Sequence, residues 1–116
     1  MALKPINSNP DPLYHFARNG SINEFNRRKR KGEKVDLTHS DFRGLDLRGI
    51  DLTGIDLSGS YFRLADLRGL DLSESCLEGA SLNGAKVSGA YFPKELSPEE
   101  ITLSLTHGTR LRYRRN

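Results

Sequence analysis

Residues 35–94 read VDLTH SDFRG LDLRG IDLTG IDLSG SYFRL ADLRG LDLSE SCLEG ASLNG AKVSG AYFPK, twelve blocks of five with no insertion or slip. The third residue of each block, its centre, is always Leu, Phe or Val, from Leu37 to Phe92. The first residue is just as inward in character. Across these two positions 21 of 24 residues are apolar, and the other three are Ser40, Ser60 and Ser75. At the remaining 36 positions only Tyr61, Leu64, Cys76 and Tyr91 are apolar. A helix repeats every ~3.6 residues and a strand every second residue, so neither yields a period of five. A chain that bends once per block does. Positions one and three then face inward along a short extended side, because alternate side chains share a face. The last two residues turn the corner. Gly ends eight blocks, from Gly44 to Gly89, and a residue without Cβ suits a tight corner.

Twelve tandem blocks in one register resemble the pentapeptide-repeat family, whose loose consensus is A-[DN]-L-x-x. The resemblance covers 60 of 116 residues. It implies an all-β solenoid with short flanking helices: a right-handed quadrilateral β-helix with four blocks, or twenty residues, per coil, and therefore three coils here. Val, Leu or Ile stands at several first positions where the family usually has Ala. On such a coil residues twenty apart stack, so Phe42 lies under Phe62, Leu57 under Leu77, and Leu47 under Leu67 and Val87 as a core stack. All three Phe centres follow a small first residue, Ser40, Ser60 or Ala90. That is the volume compensation a narrow, close-packed core requires.

The rest of the chain fits three expected parts of one structural domain: a helical N-terminal cap at 1–34, the repeats at 35–94, and a capping helix with a basic extended tail at 95–116. A solenoid exposes strand edges at each end, so caps are needed. Leu13, Phe16 and Ala17 share a helical face before Gly20. Ser21 and Glu24 have capping-box spacing for a second helix that Gly32 ends. Ser97-Pro98-Glu99-Glu100 supplies an N-cap, an N1 proline and an N3 Glu for a third, with Ile101 and Leu105 on one face and Gly108 as its stop. In the tail, Arg110, Arg112 and Arg114 alternate with Leu111 and Tyr113, a period-two pattern with one basic face.

Composition narrows the function classes. Hydrophobic residues are only 35%, yet Leu, Ile, Val and Phe number 29 of 116, above the level of disordered chains. One cysteine, Cys76, excludes an internal disulfide framework and a Cys-rich zinc site. Met1 to Pro12 carries no signal-peptide pattern, and no apolar run approaches the ~18 residues of a membrane span. The expectation is a soluble cytoplasmic protein without membrane contact. His15, His39 and His107 fall in different elements with no ligand or triad spacing, no cofactor fingerprint is present, and neither catalysis nor a cofactor or metal is expected.

The formal charge of +3 divides unevenly: net +5 over residues 1–34, −3 over 35–94 and +1 over 95–116. Arg27, Arg28 and Arg30 lie in a basic run that reads as a solvated helix end or as an anion contact. Arg110, Arg112 and Arg114 read as a solvated or self-packing tail, or as anion or self-association contacts. Asp occupies the second position of seven blocks, with Asp46 stacking near Asp66 and Asp51 near Asp71; Arg43, Arg48, Arg63 and Arg68 stand near enough to offset the repulsion. Some proteins of the resembled family protect gyrase by DNA mimicry, which would make this chain a modulator of a DNA topoisomerase or other DNA enzyme. Its shortness and mixed charge argue against that. The leading expectation is a non-enzymatic protein-interaction module with an unidentified protein partner. Self-association is an alternative, and nucleic acid is not the expected partner. Tyr61, Leu64 and Tyr91 are the candidate interaction surface, since Tyr61 and Leu64 fall in the one block, SYFRL, where the consensus breaks.

Overall fold

The computed structural model describes residues 9–114. The expectations for residues 1–8 of the N-terminal segment and for Arg115 and Asn116 lie outside the described residues. Among the described residues three helices flank the repeats: α1 (Pro12–Arg18), α2 (Ile22–Arg30) and α3 (Pro98–His107).

Between α2 and α3 the chain returns on itself every twenty residues. Parallel bridges join Asp41 to Tyr61, Asp46 to Asp66, Asp56 to Cys76, Tyr61 to Ser81, Asp66 to Lys86 and Asp71 to Tyr91. Residues 35–54, 55–74 and 75–94 are three successive passes of this register. Centre amides donate to the pass above: Phe42 N–H to Tyr61 C=O and Leu57 N–H to Cys76 C=O, both at 2.8 Å. Second-position amides donate to the pass below, as Tyr61 N–H does to Ser40 C=O at 2.9 Å. Among the described residues these contacts are isolated bridges, not continuous strands. The expected all-β character is therefore qualified, and the reason is geometric. A corner interrupts each side before a second consecutive pair can form.

The core follows the pattern of positions. Every centre from Leu37 to Leu82 is at most 2% exposed, whereas Val87 and Phe92 in the last pass are only partly buried. Each fully buried Leu contributes about 1.5–3 kcal/mol. The Phe42 and Phe62 rings stack with centroids 5.1 Å apart and planes 9° apart. Leu47, Leu57, Leu67 and Leu77 are each fully buried. The inward serines do more than save volume. Ser60 Oγ donates to Leu37 C=O at 2.7 Å, and Ser75 Oγ donates to Leu52 C=O at 2.6 Å. Ser60 Oγ also accepts from Ser40 N–H at 3.0 Å.

The helices close the ends with borrowed hydrogen-bonding groups. In α1 the inward face is Leu13, Tyr14 and Ala17, with Phe16 only partly buried. Tyr14 extends the aromatic column edge-on to Phe42, with ring centroids 5.7 Å apart, and its hydroxyl donates to Asp41 C=O at 2.9 Å. Asp11 caps α1 by accepting from Leu13 N–H and also accepts from Asp36 N–H, each at 2.9 Å. On α2, Asn26 grips the first pass twice. Its side-chain carbonyl accepts from Asp51 N–H at 2.8 Å, and its amide donates to Gly49 C=O at 2.9 Å. The expected capping box at Ser21 does not form. Ser21 makes no side-chain cap bond, and Glu24 is drawn instead to the guanidinium groups of Arg27 and Arg28. In α3 the start is as expected: Ser97 Oγ accepts from Glu100 N–H at 3.1 Å, and Gly108 ends the helix at φ +73°.

At the other end the last pass is met by α3 and the tail. Ser104 Oγ accepts from Leu82 N–H at 2.9 Å and donates to Thr109 C=O at 2.7 Å. The Tyr113 hydroxyl accepts from Leu77 N–H at 2.8 Å. Leu111 is buried, donates its N–H to Ala80 C=O, and accepts from Gly79 N–H, both at 2.8 Å. The tail thus pairs antiparallel with the repeats at Ser81 and Arg110. Ser104→Ala removes one partner each from the Leu82 N–H and the Thr109 C=O. It is expected to lower stability by about 1–3 kcal/mol, read as a lower urea midpoint at unchanged m-value.

Candidate interaction surface

The corners decide what the repeat surface offers. All seven second-position aspartates accept the backbone N–H of the residue two places on: Thr38, Arg43, Arg48, Thr53, Ser58, Arg68 and Ser73, at 2.9–3.2 Å. A short acidic side chain that bonds its own backbone two residues ahead is an Asx-turn. The residue after the turn's centre is Gly with positive φ at eight corners, which suits a turn whose third residue is left-handed. In the sequence these aspartates stand out as surface charge. The signal that finds them is the run Asp-x-(Thr/Ser/Arg), which Gly follows in five of the seven cases and which is turn chemistry.

Arginine then occupies several of the same carboxylates. Arg43, Arg48 and Arg68 each place Nε 2.9 Å from the Asp of their own block. Arg48 also reaches Asp66, at 3.3 Å, so the stacked Asp46 and Asp66 share two guanidinium groups. The Asp51 carboxylate is met instead by Lys29, whose Nζ is 3.3 Å away. Asp41 is almost fully buried. Burial alone raises its carboxyl pKa, but hydrogen bonds from Arg43 and the charges of Arg43 and Arg18 hold it below the usual carboxylate range.

The candidate anion contacts are largely engaged within the chain. Arg27 and Arg28 pair with Glu24, and Arg28 lies 5.0 Å from the centroid of the Phe16 ring. Arg112 binds Glu100 with Nη2 at 3.2 Å, and this hydrogen bond chiefly lowers the Glu100 pKa. Arg114 donates its N–H to Glu95 C=O and Nη2 to Lys94 C=O, at 2.9 and 2.7 Å. Arg110 donates to Gly79 C=O at 2.8 Å and to the Tyr61 hydroxyl at 2.6 Å, with its guanidinium 5.1 Å from the Tyr61 ring centroid. Arg30 has no ion pair among the described residues. Burial pushes the Tyr113 phenol up to about 12, and its hydroxyl accepts from Leu77 N–H at the end of the stack.

Tyr61, Leu64 and Tyr91 are 37%, 62% and 68% exposed. The register separates them. Tyr61 lies in the column of Asp41 and Ser81, whereas Tyr91 lies in that of Asp71, two blocks and so half a turn away. Tyr61 and Leu64 share one corner; Tyr91 does not join them. Leu64 has φ +61°, in a place where most corners carry Gly. A left-handed Leu costs about 1–2 kcal/mol. Its side chain leans across the pass above, where a Cβ on Gly84 would lie 2.8 Å from Leu64 Cδ2. His39 repeats the device with φ +51° and its ring over Gly59. Cys76 is half-buried, with Sγ 3.2 Å from Ser58 Oγ.

The family model described as pentapeptide repeats matches residues 33–54 and 46–84, in eight copies. The match stops before the last two blocks, where Lys86 and Tyr91 replace the corner aspartate. No curated protein and no solved structure matches the chain. Among the described residues no helix is long and apolar enough to cross a membrane.

The pairing of Arg48 with Asp46 makes a pH prediction. The hydrogen bond from Arg48 lowers the Asp46 pKa to about 2, against ~3.9 in an unfolded chain. The folded value is depressed, so the pair's stabilisation is complete above pH ~4 and is lost as pH falls towards 2. Urea midpoints measured between pH 5 and pH 2 are expected to fall less steeply for Asp46→Asn than for the natural sequence.

Proposed function

The chain is a pentapeptide-repeat protein, and from that premise we propose that it is a non-enzymatic scaffold that acts by presenting a surface to another protein. The finer architecture proposed with it is a right-handed quadrilateral β-helix of three coils over residues 35–94. The described residues 9–34 and 95–114 serve as its caps within one domain. The twenty-residue register of bridges and the cap contacts of Tyr14, Asn26, Ser104 and Tyr113 support this arrangement.

The observation that carries the functional reading is Leu64. It is a large apolar side chain, mostly exposed, held on a strained backbone beside Tyr61. Strain persists where the surrounding structure enforces it, and it gathers at binding sites. Gly at this corner would remove the strain. Modulation of a DNA enzyme by mimicry draws less support. The second-position carboxylates are spent on corner amides, and three of them also on arginines. DNA presents one unpaired negative charge per ~1.7 Å of axis.

Two experiments test the reading. Affinity capture with the natural sequence and with Tyr61→Ala is expected to retain one protein in stoichiometric amount and to lose it with the variant. Addition of the purified protein to a gyrase supercoiling assay and to a low-salt DNA gel-shift is expected to change neither. Inhibition or protection of gyrase would reverse the order of the two readings.

A further inference from the structure

The corner that holds Leu64 also gathers charge. Arg18, Asp41, Arg43, Gly44, Arg63 and Leu64 line an open depression of about 360 Å³. Arg18 comes from α1 and stands 3.8 Å from the Asp41 carboxylate. Arg43 binds the same carboxylate from the corner, at 2.9 Å. Arg63 lies one pass above Arg43, in the block where Tyr61 replaces the corner aspartate. Among the described residues its side chain makes no ion pair or hydrogen bond, and it is exposed. Beside it Tyr61 carries Arg110 over its ring. Three guanidinium groups therefore line the depression with one apolar side chain, and the lining carboxylate, Asp41, is almost fully buried.

Resting on the reading of the chain as an interaction scaffold, we propose that this corner docks an extended acidic segment of a partner protein. An aliphatic side chain of the segment seats on Leu64, and its flanking carboxylates meet Arg63, Arg43 and Arg18. Charge complementarity selects the partner's sign. Arginine's planar fork suits carboxylates bidentately, and Arg63 is the guanidinium left free to supply that contact. The apolar centre selects a peptide over a nucleic acid. A nucleic-acid backbone would run past the corner onto a repeat region with net charge −3, whereas a few extended residues at ~3.3–3.6 Å each end within it. Tyr and Arg around an apolar anchor is the composition of binding hot spots. The Tyr61 substitution also belongs to this corner. With Asp at position 61, Arg63 would fold onto its own block as Arg43, Arg48 and Arg68 do.

Because Gly is the usual residue at this corner, Leu64→Gly separates binding from folding. Random dodecapeptides are selected by phage display against the full chain. The enriched peptides are labelled and measured by fluorescence anisotropy against the natural sequence, Leu64→Gly, Arg63→Glu and Tyr91→Ala. The expected peptides carry net negative charge around one Leu, Ile or Val. They bind Leu64→Gly and Arg63→Glu about tenfold or more weakly, bind Tyr91→Ala unchanged, and weaken as salt rises. Leu64→Gly is expected to unfold at a urea midpoint equal to or above that of the natural sequence. Peptides that bind all four proteins alike would overturn this site while leaving the scaffold reading intact. Basic or uncharged peptides, or a labelled duplex oligonucleotide bound through Arg63, would overturn the partner's chemistry. If no peptide is enriched, the docking proposal fails, and the affinity capture above then judges the scaffold reading separately.

Discussion

One bond sets the terms for the repeats: the aspartate at position two accepting the amide of position four. It completes the backbone accounting of a block. The first-position amide donates back across the turn, as Leu45 N–H does to Phe42 C=O. Second-position amides donate to the pass below, and centre and fifth-position amides to the pass above, as in Tyr61, Phe42 and Gly44. The fourth-position amide faces outward at the corner and finds no backbone acceptor. Asp supplies one. Backbone donors gain by finding a partner, and seven of the twelve corners use this side chain for it.

That accounting also explains the ends. The first pass has no neighbour below, so Asp11 and Asn26 accept from Asp36 and Asp51, while Tyr14 donates to Asp41 C=O. The last pass has no neighbour above, so Tyr113 and Ser104 accept from Leu77 and Leu82, and Leu111 pairs with Gly79 and Ala80. The flanking helices are short. Their main work is to bring polar side chains to a backbone edge that would otherwise invite another chain.

The core was legible from the sequence because burial leaves a period. Centres and first positions alternate without fault, and the stacking of Phe42 on Phe62 followed from a spacing of twenty. What escaped was hydrogen bonding, which leaves no hydropathy signal. The aspartates were read as a charged face because sequence shows the charge and hides the amide. Ser104 and Asn26 look like ordinary helix residues until the edge they meet is known. The Ser21 capping box failed because two arginines compete for Glu24. Tyr61, Leu64 and Tyr91 were found as exceptions to the pattern, yet only the register tells that Tyr91 stands half a turn from the other two. For the tail arginines the sequence leaves a solvated and a self-packing reading open, because it does not show Glu100 or the Lys94 carbonyl beside them.

Amide hydrogen exchange, resolved residue by residue by NMR on the full chain, tests this accounting most directly. The centre amides of Phe42, Leu57, Phe62, Leu67 and Leu72 and the corner amides of Gly44, Gly59 and Gly69 each donate to the adjoining pass. They are expected to be the slowest to exchange and to recur with a period of five. Rapid exchange at these amides, or slow exchange without that period, would contradict the account.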